Sequence, residues 1–273
     1  MKEIFDIKRF GKFFLYDLRN SKNYYWVSLL ICAAMPLICF AIAQTFSRLF
    51  FGSWIYEGLP IQIISVIMAI CVALFTYPVK AYGRLTDKRA GSNWTLLPAS
   101  SVEKTLSITL ISCVVLPLVL FSLMIGVDAL MGVVFPSCWP RPLVCEVFDL
   151  NRTMADMSDG IVKMNAPGAL WYSWCSSILT FILGAIFFKK AKIGKTFLVL
   201  FLMGQVMSMA FSFIFVGTPA FADLLQGNTA QFDDPAWVLR LLKNFNWFFT
   251  VYTWGFMIII IGLIWARIKT IKH

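Results

Sequence analysis

Six stretches of the chain carry no charged residue and are long enough to cross a bilayer: residues 24–44, 59–79, 105–127, 168–188, 196–217 and 247–266. A helix rising about 1.5 Å per residue needs roughly 20 residues to traverse a hydrocarbon core about 30 Å thick. No water reaches that core, so a spanning segment must satisfy its own backbone, and each stretch predicts an α-helix. The pattern therefore predicts an all-α, polytopic membrane protein with six transmembrane helices.

The polar segments between these runs set the orientation. Residues 1–23, 79–104, 189–195 and 266–273 hold 18 of the 24 Lys and Arg. Residues 45–58, 135–167 and 218–246 hold the other 6, together with 8 of the 14 acids. Basic segments are retained in the cytoplasm, and with an even number of spans every basic-rich segment falls on one side. Both termini are expected there, in a multi-pass protein of the cell (inner) membrane. The formal charge of +10 follows from this sidedness and does not point to a nucleic-acid surface.

The organisation predicted is one membrane domain over residues 1–273. It comprises an interfacial segment (1–23), three spans with a cytoplasmic loop at 80–104 (24–134), an outer loop (135–167) and three further spans (168–273). With 59% hydrophobic residues and no long soluble stretch, nothing suggests a separate soluble domain. Ala41-Ile42-Ala43 resembles a signal-peptidase site, but the acids at Glu3, Asp6 and Asp17 and the length of the apolar run argue against cleavage.

Within residues 3–19, Ile4, Ile7, Phe10, Phe14, Leu15 and Leu18 fall in an arc of about 140° on a helix, away from Lys8, Arg9, Lys12 and Arg19. Such a segment predicts an amphipathic helix in the headgroup plane. The loop at 80–104 mixes bases with Leu85, Trp94, Leu96 and Leu97, and Gly91-Ser92-Asn93 reads as a turn. After Pro98, Ser100 and Glu103 form an S-x-x-E capping box, so the third helix is expected to start in the cytoplasm. A simple solvated, positive-inside loop is the plainer alternative. On the outer side, Asp233-Asp234-Pro235 predicts a helix start, followed by Trp237, Val238, Leu241, Leu242 and Phe245 on one face.

Signals for chemistry are few. Gly194-Lys195-Thr196 matches the tail of a phosphate-binding loop, but Lys189 stands where its first glycine belongs. The sole histidine is His273, which leaves no zinc-ligand pair and no Ser–His or Cys–His couple. No catalytic residue, cofactor site or metal site is predicted, and the chain is not expected to be an enzyme. Asp128 is the one acid inside an apolar stretch. Counted from Lys104 it lies about 36 Å along a helix, beyond the core, and predicts a hydrated boundary residue.

Five of the 7 cysteines (Cys32, Cys39, Cys71, Cys113 and Cys175) sit inside spans as small apolar residues. Cys138 and Cys145 share the outer loop around Trp139-Pro140-Arg141-Pro142, where a disulfide ring and two free thiols are both compatible with the spacing. Two spans repeat a small residue every four positions: Ser65, Ala69 and Ala73, and Gly204, Ser208 and Ser212. Such stripes let helices approach closely, within one subunit or between subunits.

This arrangement resembles the permease subunits of type-2 (export-class) bacterial ABC transporters. The matching pieces are an elbow helix at 3–19, a cytoplasmic loop at 80–103, short outer helices at 233–246, and the stretch Leu97-Pro98-Ala99-Ser100-Ser101-Val102-Glu103-Lys104 leading into the third span. The long 135–167 loop departs from the family pattern. The resemblance implies a permease whose ATP is hydrolysed by a separate cytoplasmic nucleotide-binding subunit. That subunit would dock on the 80–103 loop through Arg84, Leu85, Lys88, Arg89, Trp94 and Leu97. It also implies a homodimer, or a heterodimer with a related permease. A membrane scaffold, sensor or accessory subunit with the same helices is the alternative of a different class.

Overall fold

The computed structural model describes residues 5–54, 58–86, 91, 94, 96–139, 141–143, 145, 166–216 and 235–270, and every element among them is helical. Helix α1 covers Ile7–Ala33 and α2 Met35–Phe51, bent by 42° at Ala34. Helix α3 (Leu59–Tyr77) continues through a π turn (Pro78–Tyr82) and a 3₁₀ turn (Gly83–Thr86). Helix α4 (Ser101–Leu110) joins α5 (Leu116–Val134) through a second π turn at Ile111–Val115. Helices α6 (Ala166–Phe187), α7 (Lys192–Val216) and α8 (Pro235–Thr270) complete the described chain.

Three helical stretches among the described residues are long and apolar enough to cross a membrane: Leu59–Thr86, Ser101–Val134 and Leu170–Phe187. The bent pair α1–α2 makes a fourth if it is one span. These lengths and compositions are compatible with a membrane protein.

The N-terminal part differs from the expected elbow followed by a separate span. Helix α1 runs unbroken from Ile7 through the first half of the apolar run, and the break falls at Ala34, before Pro36. Proline lacks the N–H that would bond four residues back and its ring crowds that carbonyl, so the helix restarts there. The buried face of α1 is also not the expected apolar arc. Phe13, Asp17, Ser21, Tyr25 and Cys32 turn inward, while Ile7 and Leu15 stay exposed. Ile4, at the start of that arc, lies outside the described residues.

The core forms where α6 meets the bends of the other helices. Ile178, Leu179, Ile182 and Ile186 of α6 are fully buried, and α6 packs on the 78–86 turns, on the 111–115 turn, and on α7 and α8. The second π turn has a local cause. Pro117 removes the bond that the Cys113 carbonyl would receive within the helix. Helix α6 supplies replacements: Trp174 Nε1 donates to the Ser112 carbonyl at 3.1 Å, and Cys175 Sγ to the Cys113 carbonyl at 3.8 Å.

At one end of the stack the expected reading of Asp128 is corrected. It is buried, accepting from Trp139 Nε1 at 2.7 Å and the Leu143 N–H at 2.8 Å, so it pins the start of the 135–167 loop instead of facing water. Gln62 Nε2 donates to the Arg141 carbonyl, and a Cβ on Gly58 would stand 1.9 Å from the Cys138 carbonyl oxygen. Only glycine permits that approach. Cys138 is buried and Cys145 exposed, and they stand as separate thiols.

Candidate functional site

The opposite end gathers the basic segments. The capping box expected at the third span is present: the Glu103 N–H donates to Ser100 Oγ at 3.2 Å, and the Ser100 N–H to Glu103 Oε2 at 2.8 Å. Glu103 does more than close that cap. Arg9 Nε lies 3.1 and 2.9 Å from its two oxygens, and an Arg9 terminal nitrogen 2.6 Å from Oε1. The Asp6 N–H also reaches Oε1, at 3.0 Å. One fully buried carboxylate thus holds the N-terminus of α1 and the start of α4 together, by charge-assisted hydrogen bonds.

One turn further along α1, Phe13 meets the Trp94 ring edge-on at 5.8 Å, and Lys104 Nζ lies 4.8 Å from that ring while donating to the Trp94 carbonyl. Asp17 follows on the same face, accepting from Ser107 Oγ at 2.8 Å and Tyr82 OH at 3.3 Å. Tyr77 and Tyr82 are buried beside it, edge-on at 5.9 Å. The third basic segment joins from the other side: Lys192 Nζ donates to the Gly83 carbonyl, and to Thr86 Oγ1 at 2.9 Å. Arg267, of the fourth, lies over Phe187 at 5.4 Å. All four basic segments therefore meet at one end of the helix stack.

The expected docking side chains differ in their surroundings. Leu85 and Trp94 are each 4% exposed, packed into the chain's own core, and Leu97 is half-buried against it. The apolar pocket they fill belongs to this chain and not to a partner. Arg84 is exposed, its guanidinium 4.1 Å over the Tyr24 ring. Lys88 and Arg89 lie outside the described residues. Among the described residues of the loop, Leu96 is 80% exposed, beside exposed Pro98, and Val102 is exposed as well.

The two small-residue stripes diverge. Ser65, Ala69 and Ala73 are completely buried on α3, which packs against α1 and α2. Gly204 is exposed on α7, and no described atom of another element lies within 4 Å of where a Cβ would stand. Ser208 is exposed too, and the side chain of Ser212 lies outside the described residues. So do the acids at Asp233 and Asp234 and the side chains of Trp237, Val238, Leu241, Leu242 and Phe245. Helix α8 starts at Pro235 and runs without a break into the last apolar stretch.

Residues that the sequence pattern did not single out are Asp17, Tyr77, Tyr82 and Ser107. The signal was an i, i+4 series on α1 (Phe13, Asp17, Ser21, Tyr25) whose polar members disguised a buried face. No family model, no curated protein and no solved structure matches this chain.

Proposed function

We propose that this chain is the membrane-spanning permease subunit of an ATP-driven transporter in the inner membrane. In this reading it has six spans with both termini in the cytoplasm. A separate nucleotide-binding subunit, which carries the ATPase site, docks on the 80–103 loop. Two permease chains, identical or related, line the pathway. The observation that supports it is the wiring of that loop. It is tied to α1 through Phe13–Trp94 and Arg9–Glu103, to α7 through Lys192, and it runs directly into α4 through the Ser100–Glu103 cap. A push on such a loop moves three helices at once, as coupling to an ATPase requires.

The docking surface is redrawn by burial. Among the described residues of the loop, Leu96, Pro98 and Val102, with Arg84, are exposed to a partner. An exposed leucine in a loop that also presents a base fits an apolar anchor with electrostatic orientation around it. The test is co-purification from native membranes in mild detergent, followed by ATPase assay. Wild type should recover a nucleotide-binding subunit, and Leu96→Asp should lose it while inserting normally.

A second reading, a non-transporting scaffold or accessory subunit, is favoured by one observation. Trp94 and Leu85, the strongest expected anchors, are already used inside the chain. If wild type brings down no nucleotide-binding subunit while the membrane assembly stays intact, that reading replaces the permease.

A further inference from the structure

Helices α7 and α8 both pack on α6, and between them lies an apolar cleft of about 880 Å³. Its walls include Leu183 of α6, Val199 and Met203 of α7, and Ile259 and Leu263 of α8. Cavities of roughly 300–1,000 Å³ hold organic ligands of substantial size. At the end where the basic segments meet, the cleft is lined by Arg267 and Thr270. The Arg267 guanidinium sits over Phe187, and its Nε is buried with no hydrogen-bond partner among the described residues. Lys195 and Lys269 stand over Phe188 and Trp265 nearby.

A guanidinium lining an otherwise apolar cleft suits an anion. The rest of the cleft calls for hydrocarbon. We propose that the cleft is a binding site for an anionic phospholipid of the cytoplasmic leaflet, its phosphate on Arg267 and an acyl chain between α7 and α8. Basic pockets between membrane helices at the cytoplasmic face recognise acidic headgroups in this way. A second copy of the chain fits less well. The acids described at this end, Asp6, Asp17 and Glu103, are already engaged within the chain, so a copy brings no described carboxylate to Arg267. The Gly204 side of α7, which lines the cleft, then meets lipid and not another subunit.

The inference rests on the six-span reading, which places α7 and α8 in the bilayer. Full-length protein in phosphatidylcholine nanodiscs is doped with a phosphatidylglycerol carrying a photoreactive group in its tail, illuminated, and its labelled peptides mapped. The label should concentrate at Leu183, Val199, Met203, Ile259 and Leu263, and exceed that of a matching phosphatidylcholine probe by about five-fold, the ratio expected of one basic contact. Arg267→Gln should abolish that preference and Arg267→Lys retain most of it. Competition by unlabelled phosphatidylglycerol against phosphatidylcholine on wild type reads the same preference without any variant.

An unchanged ratio in Arg267→Gln overturns the site, as does label spread evenly around α7 and α8. So does a Met203→Cys cross-link between copies that excludes the probe. Label on the outer faces of α7 and α8 with an empty cleft sinks only this inference. No label on either helix sinks the six-span reading itself.

Discussion

Trp94 illustrates how burial changes the meaning of a residue. A tryptophan in a basic loop reads as a surface hot spot, yet here its ring is enclosed by Phe13 and Lys104. Truncating a buried aromatic costs about 3–5 kcal/mol. Trp94→Ala should therefore lower the thermal stability of the detergent-purified chain markedly, with Trp94→Phe intermediate, in a thermal-unfolding assay. A melting curve unchanged in Trp94→Ala would show that the ring is not part of the core. Glu103 offers a second test at this scale. It accepts from Arg9, Asp6 and Ser100, so Glu103→Ala removes the bonds to all three, whereas Arg9→Ala leaves those from Asp6 and Ser100 in place. Glu103→Ala should destabilise more than Arg9→Ala, and the double variant should be no worse than Glu103→Ala alone. Additive losses in the melting temperatures would contradict a shared contact.

Among elements, the join of α4 to α5 shows how a proline is carried through a continuous helix. The π turn before Pro117 frees carbonyls, and α6 takes up two of them with Trp174 and Cys175. Trp174→Phe keeps most of the buried ring and deletes one hydrogen bond. It should cost about 0.5–1.5 kcal/mol of stability, more if the Ser112 carbonyl is left dry. The α6–α7 corner is tighter. A Cβ at Gly184 would stand 1.9 Å from Thr196 Oγ1, whereas one at Gly204 meets nothing. Gly184→Ala should accordingly lower the melting temperature, while Gly204→Leu leaves both melting temperature and oligomeric size unchanged and reduces only lipid label in the cleft. A smaller assembly in Gly204→Leu, seen by size-exclusion chromatography, would return the stripe to a subunit interface.

For the whole molecule, the gathering of four basic segments at one end of the stack agrees with the charge distribution that predicts a cytoplasmic face there. In intact cells, single cysteines in a cysteine-free background test it with an impermeant maleimide. Substitution at Ser158 should be labelled from outside and substitution at Ser92 should not. The reverse pattern would invert the protein in the membrane. Peptide mass spectrometry without reductant decides in parallel whether oxidation links Cys138 to Cys145, which the structure holds as separate thiols.

Much of this architecture was legible in the chain because the physics behind it is local. Helicity of the apolar runs follows from backbone satisfaction, and the Ser100–Glu103 cap from two side chains three residues apart. The buried stripe of Ser65, Ala69 and Ala73 was likewise readable from its spacing. What only the tertiary structure decided were contacts between residues far apart in sequence. Arg9 finds Glu103 across 94 positions, and Ser107 reaches Asp17 across 90. Lys192 reaches Thr86 across 106. A polar residue that pays its desolvation with a distant partner looks, in the sequence, like any solvent-facing one. That is why Asp128 read as exposed, why Asp17 was not singled out, and why Trp94 and Leu85 read as available to a partner, until the helices that cover them were in place.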